Sequence, residues 1–260
     1  MDNLKNIFKP FTKINGSTGT TIRLTWLISI LVLWVISGVG EGTHLFPTIT
    51  QVFAGFGTLW SEGLVVHIVS SLALCGQAVL ISVVISLTFC YLSPIPALAP
   101  VSETLSKFRY LPLAGIAFYL AIMINDARIL QVWVLVVFMS TFFMTSILAV
   151  IKDIPEEEFD HARTLGCGRW ETLWEVIIKG RFDYVIESIR QNLAIVWMML
   201  ISVESMLAAA GGLGFLIKNS DKLGNQGRVI ALQIIILSIG VILDFSLTKG
   251  RQLAFRFSKI

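Results

Sequence analysis

From Ile129 to Ile151 the chain carries no charged side chain. At about 1.5 Å of rise per residue, a helix of that length crosses the roughly 30 Å hydrocarbon core of a bilayer. Five further apolar stretches read as spans: about Ile22–Val39, Leu64–Tyr91, Tyr110–Asn125, Ile186–Ala209 and Val229–Thr248. The stretch Tyr110–Asn125 is short for a crossing. Pro94, Pro96 and Pro100 end the second helix, because proline removes a backbone donor and clashes with the preceding turn. Charged residues make up only 14% of the chain, against about 25% in an ordinary soluble domain. The sequence therefore predicts an all-α, polytopic membrane protein with six transmembrane helices.

Charge placement orients those helices. With the N-terminus inside, sixteen Lys and Arg fall on the cytoplasmic side. They lie in the N-terminal arm, around Lys107 and Arg109, along a charged loop from Lys152 to Arg190, and at the C-terminus. Arg128, Lys218, Lys222 and Arg228 are the four left outside. The excess of basic residues inside is the usual sign of orientation, and one span more or fewer would destroy it. The predicted organisation is a cytoplasmic arm over residues 1–21, then a membrane domain over 22–260 with a cytoplasmic loop at 152–185. Lys5, Lys9, Lys13 and Arg23 before the apolar run Leu24 to Gly40 imitate a secretory leader. The run is too long and lacks a clear cleavage site, so it reads as a retained first span.

Several chemistries find no footing. Cys75, Cys90 and Cys167 are scattered and odd in number, so no disulfide framework is suggested. His44, His67 and His161 are isolated, so no metal is expected. No phosphate-binding loop of the Walker type is present, since Gly211, Gly212 and Gly214 are too few and wrongly spaced. Basic residues follow membrane sidedness and not one face of a soluble domain, which argues against nucleic acid.

The charged loop needs a reason to exist between two spans. Pro155 suits the first turn of a helix, and Glu156, Glu157 and Glu158 suit its positive end. Phe159, Ala162 and Leu165 recur at helical spacing and could share a semi-apolar face. Gly166 is placed to end the helix in a left-handed conformation. A second short helix, about Gly168–Ile178, would lead back to the membrane. Periodicity alone leaves open an amphipathic helix on the inner leaflet, a solvated loop or a docking element.

Here the sequence resembles the permease subunits of ATP-binding-cassette importers. Their signature is E-A-A, three residues, G, nine residues, then I-x-L-P. In this chain it reads Asp160–His161–Ala162, Gly166, then Val176–Ile177–Ile178–Lys179. Ala162–Arg163–Thr164–Leu165–Gly166–Cys167–Gly168–Arg169–Trp170 is a typical phrase of that family. Asp160 replaces Glu conservatively, whereas His161 in place of the first Ala and Lys179 in place of the Pro bear on the fine geometry of docking. Glu204–Ser205–Met206 and Gly211–Gly212–Leu213–Gly214–Phe215–Leu216–Ile217 look like the nitrate/sulfonate/taurine branch, as does Leu243–Asp244.

The resemblance implies the fold of a type I importer permease and a mechanism. Residues Glu157, Glu158, Phe159, Asp160, His161, Ala162, Arg163, Thr164, Leu165 and Gly166 would form a coupling helix seated in a cytoplasmic ATP-binding subunit. Two such ATPase subunits would bind ATP and Mg and supply hydrolysis; the chain itself would hold no cofactor and make no covalent chemistry. A second permease subunit, usually identical in this branch, would complete the pathway. An extracytoplasmic solute-binding protein would deliver a small solute such as nitrate, a sulfonate, taurine or a vitamin precursor. The expected location is a bacterial inner (plasma) membrane with both termini cytoplasmic.

Within the bilayer, Glu204 is the one carboxyl deep in an apolar span, at a nominal cost of about 2.5–3.5 kcal/mol. It is either a pathway residue or half of a helix–helix hydrogen bond. Gln77, Asn192 and Met198 are the other pathway candidates, with His67 beside Gln77 in the second span. The competing function is an ion-gradient-driven secondary transporter that carries its proton on Glu204.

Overall fold

The computed structural model describes residues 16–37 and 47–254. Lys5, Lys9, Lys13, Arg256, Lys259 and His44 lie outside the described residues, as do most of the predicted arm and the end of the first span. Eleven α-helices follow one another among the described residues, and no strand occurs there. They are α1 (Gly16–Ser37), α2 (Ile49–Ser61), α3 (Leu64–Tyr91), α4 (Ala99–Lys107), α5 (Leu113–Met123) and α6 (Ala127–Lys152). Then come α7 (Glu156–Thr164), α8 (Arg169–Thr172), α9 (Phe182–Met206), α10 (Leu213–Lys222) and α11 (Gln226–Ala254).

The charge-free run Ile129–Ile151 forms the centre. Asp126 caps α6, its Oδ1 accepting from the Ile129 N–H at 2.8 Å. Around α6 pack α3, α4, α5 and α9. Small residues line the α3 face: the Ser82 and Ser86 hydroxyls donate to the carbonyls of Val136 and Ser140 at 3.3 and 3.0 Å. Cys90 Sγ continues the row toward the Met144 carbonyl at 3.6 Å. Each step is four residues on both helices, so two backbones run close together over several turns. In lipid, such close packing and side-chain donors replace the missing hydrophobic drive for helix association.

Five helices, α1, α3, α6, α9 and α11, are long and apolar enough to cross a membrane. The expected third span is α5, which has 11 residues. At about 1.5 Å per residue it covers only about half of the hydrocarbon thickness. Its ends are set by Pro112, which precedes the helix in an extended conformation, and by Ile124, also extended. The helix α2 was not foreseen. Its signal is local: Thr48 and Gln51 form a reciprocal capping box, and Val52, Gly55 and Leu59 make the buried stripe.

α2 crosses the start of α11 at very short range. A Cβ on Gly227 would lie 2.6 Å from the Gln51 carbonyl oxygen, and one on Gly55 would lie 3.0 Å from that of Gly227. The guanidinium of the buried Arg228 grips the Glu62 carboxylate with both terminal nitrogens. Gly227→Val is expected to part the two helices and to cost about 1–3 kcal/mol by overpacking. Gly57→Val, where a Cβ meets nothing within 4 Å, serves as the control. Thermal unfolding of the detergent-solubilised chain should show a lower midpoint for the first variant and little change for the second.

At the opposite end, α9 and α11 are tied by charge. Arg190 holds Glu187 at 2.7 Å and Asp244 at 2.6 Å, and Arg251 holds Glu187 at 2.8 Å. Asp244 has Lys249 and Arg251 near it in sequence, yet its partner comes from a different helix, because Arg190 on α9 reaches across the interface.

Candidate functional site

The charged loop folds into an elbow with its own small core. Ile154, Ala162, Val176 and Ile177 are buried together, packed by Tyr91 from α3, Ile151 from α6, and Phe159, Cys167 and Leu173. The elbow is therefore fastened to the ends of two spans. Pro155 sits one position earlier than expected, as the extended residue just before α7. Glu156, Glu157 and Glu158 fill the first turn, where the helix dipole favours acids. Arg181 reaches back from the far side of the elbow to Glu158 at 2.5 Å.

Gly166 ends α7 at φ +79°. The Gly166 N–H bonds the Arg163 carbonyl at 3.0 Å, and the Cys167 N–H bonds that of Ala162 at 3.1 Å. That pair of bonds is a Schellman turn, which satisfies the last carbonyls of the helix. The chain then enters α8, where the Glu171 carboxylate accepts from the Gly168 N–H at 2.8 Å. The expected second helix is an α-turn only over Arg169–Thr172; Leu173–Lys179 is wider, of π type, closed by the Gly180 N–H on the Glu175 carbonyl at 3.0 Å.

The proposed apolar face of α7 divides in two. Phe159 and Ala162 point into the small core, whereas Leu165 is 82% exposed. Leu165 caps the helix and projects past its end, so it cannot share the inner face. Glu157, Asp160, His161, Arg163 and Thr164 are also exposed, with Arg163 bonded to Asp160 at 2.7 Å. The elbow thus presents a rigid, acidic knuckle tipped by one leucine. Beside it lies a groove of about 340 Å³ between Pro94, Ile95, Phe159, Arg169, Trp170 and Leu173, with Trp170 69% exposed. At the base, the Lys152 ammonium beside Glu103 holds that carboxyl below its usual range. The pair therefore persists from neutral pH downward until the lowered carboxyl protonates; being exposed, it contributes little stability.

The pathway candidates are not brought together. Glu204 is fully buried between α3, α9 and α10. The Ser71 hydroxyl donates to its two carboxyl oxygens at 2.7 and 2.9 Å, and the Gly214 N–H donates to one of them at 3.0 Å. Ser71 in turn accepts from the Leu213 N–H at 2.9 Å, so the carboxyl and the hydroxyl together hold the start of α10. Gly214 cannot bear a side chain there, because its Cβ would lie 2.3 Å from the Ile201 carbonyl oxygen. His67 completes the corner: its Nδ1 accepts from the Gly212 N–H at 3.2 Å and its ring stacks on Phe215.

Asn192 is buried, donating to the Ser146 hydroxyl on α6 at 2.7 Å and to the Ser188 carbonyl at 2.8 Å. Gln77 lies on the exposed face of α3. Met198, 59% exposed, lines a groove of about 650 Å³ between α9, α10 and α11, with Trp197, Ser202, Gln233, Gly240 and Asp244. Among the described residues, no group of His, Cys, Asp or Glu is placed to hold a metal ion.

Residues 22–249 match the family described as binding-protein-dependent transport system inner membrane components. A stretch of 113 residues is 29% identical to a putative ABC transporter permease protein of Methanocaldococcus jannaschii, covering 43% of this chain and 42% of that one. A stretch of 97 residues is 30% identical to the taurine transport system permease protein TauC of Escherichia coli, covering 37% of this chain and 33% of that one. The similarity thus spans less than half the length of either relative. The fold is similar to that of a chain in a crystal structure of an amino acid ABC transporter with histidines. The TM-score is 0.61 at 19% identity, over 76% of this chain and 95% of that one.

Proposed function

The chain belongs to the family of binding-protein-dependent transport system inner membrane components, and from that we propose that it is the membrane subunit of an ATP-driven importer. The observation that carries the proposal is the elbow: a helix fixed by its own core, with Leu165 and the acids Glu157 and Asp160 left uncovered. Exposed apolar side chains on a fastened, projecting element are what a protein partner covers. A cytoplasmic ATP-binding subunit grips α7 from Glu157 to Gly166 in a groove on its surface. ATP and Mg sit on that partner. When its dimer closes on ATP, two elbows move together and bias the membrane helices toward the outward-open state.

A second copy of this chain completes the pathway, facing the groove around Met198. A solute-binding protein delivers a small solute of the nitrate, sulfonate, taurine or vitamin-precursor class; the similarity to a taurine permease supports a small sulfonate. In this reading Glu204, with no solvent exposure and three hydrogen bonds, is a structural tie and not the proton carrier of a secondary transporter. On the same reading, the arm 1–21 and the loop 152–185 of the membrane domain 22–260 lie in the cytoplasm, in a cell whose inner membrane the chain spans.

Cys167 tests the sidedness. Cys75 and Cys90 are buried, whereas Cys167 is partly exposed on the elbow. An impermeant maleimide is expected to label Cys167 in inverted vesicles and not in intact cells. Labelling of intact cells would place the elbow outside and overturn the proposal. Co-purification of an ATP-binding subunit with the unchanged chain, lost in Leu165→Asp, is the matching test of docking.

A further inference from the structure

We propose that α2 is an anchor lying in the plane of the membrane, in the leaflet opposite the elbow, with its aromatic side chains among the lipid headgroups and upper acyl chains. The helix holds no charged residue from Ile49 to Ser61. At about 100° per residue its side chains fall into three sectors. Val52, Gly55 and Leu59 are buried against the protein. Next to them around the helix come Phe56, Ile49, Trp60 and Phe53, of which Phe53 is 71% and Trp60 69% exposed. The remaining arc carries Gly57, Thr50, Ser61, Ala54, Thr58 and Gln51. One side meets protein, the next is apolar and uncovered, and the last is uncharged and polar. A helix that floats at a bilayer surface needs that order, because the lipid-facing and water-facing sectors must be distinct.

Position supports the same occupant. Gly63, at φ +84°, makes the corner between α2 and α3. Just past it, Val65, Val66 and Val69 on the spanning helix are exposed too, so uncovered apolar side chains run on in sequence from α2 into the first turns of a membrane-crossing helix. Trp60 at that level matches the aromatic belt of membrane proteins. The far end of α3 packs into the elbow through Tyr91, which puts α2 at the other surface. Through Gly55, Gly227 and the Glu62–Arg228 pair, the anchor also fixes the start of α11 to the membrane plane.

The test uses the full-length chain reconstituted in lipid vesicles, with Cys167→Ser to remove the exposed native thiol. Nitroxide labels go on Thr50→Cys, Phe53→Cys, Thr58→Cys and Trp60→Cys. Collision with oxygen, which concentrates in lipid, is compared with collision with a water-soluble nickel complex. The oxygen-to-nickel ratio is expected to be several-fold higher at 53 and 60 than at 50 and 58. Equal ratios at all four sites would overturn the proposal, since no face of the helix would then be set apart for lipid. So would labels at 53 and 60 shielded from both reagents, which would mean that a second copy or another protein covers the face. A readout without labels checks the same point. Quenching of indole emission by lipids brominated near the glycerol end should be weaker in Trp60→Phe than in the unchanged chain, and unchanged quenching would count against the anchor.

Discussion

Glu204→Ala is expected to destabilise the folded chain by about 3–5 kcal/mol. Two losses add up there. The Gly214 N–H would be left buried without its acceptor, at about 1–3 kcal/mol. The deleted side chain would also leave a cavity in a region where Glu204, Ser71 and Leu213 are fully enclosed. Glu204→Gln keeps a carbonyl acceptor of nearly the same shape, so it should cost much less and preserve assembly. The quantity to measure is the unfolding midpoint in detergent, with hydrogen exchange of α10 as the local readout. Faster exchange over Leu213–Lys222 in the Ala variant alone is the expected pattern. Equal stability of all three proteins would mean that Glu204 ties nothing together. If Glu204→Gln instead left stability unchanged but abolished uptake, the carboxyl would hold a transport role that the buried geometry does not explain.

The second large effect is functional. Gly166→Val should abolish ATP-driven uptake while leaving membrane insertion intact. Gly166 sits at φ +79° with open space around its Cβ position, so the obstacle is the backbone and not a clash. A β-branched residue in that region is strained by about 1–3 kcal/mol. Relief comes by unwinding the Schellman turn, which frees the Ala162 and Arg163 carbonyls and displaces Leu165. The small core of the elbow meets the main core at Ile151 and Gly166 belongs to neither, so the spans keep their own packing when the turn unwinds. Full uptake by Gly166→Val, at normal expression, would show that the shape of the turn is irrelevant to coupling.

How far the sequence could be read depended on the range of the forces involved. Spans such as α6 and α3 are legible because long charge-free runs have one affordable form in lipid. The third span is legible as an apolar stretch, but its helix α5 is shorter than that stretch because Pro112 and the extended Ile124 cut it. α2 escaped because a helix of 13 residues, buried on one side and apolar on the next, is neither a span nor a simple amphipath. On the elbow, Gly166 was legible from its place after the last helical residue. The outward turn of Leu165 was not, since it depends on where α7 stops. Glu204 declared itself only as a cost. Its partner Ser71 lies 133 residues away and Gly214 across a turn, and neither pairing leaves a local pattern.

The proposed grip of an ATP-binding subunit on the elbow can be caught by a photo-crosslinking side chain in place of Leu165, in membranes from cells that make the chain together with its own transport partners. A covalent adduct with the ATP-binding subunit is expected, at a yield that changes when ATP is bound and hydrolysis is blocked. Adducts with lipid alone, or none with any ATP-binding protein under either condition, would rule that grip out.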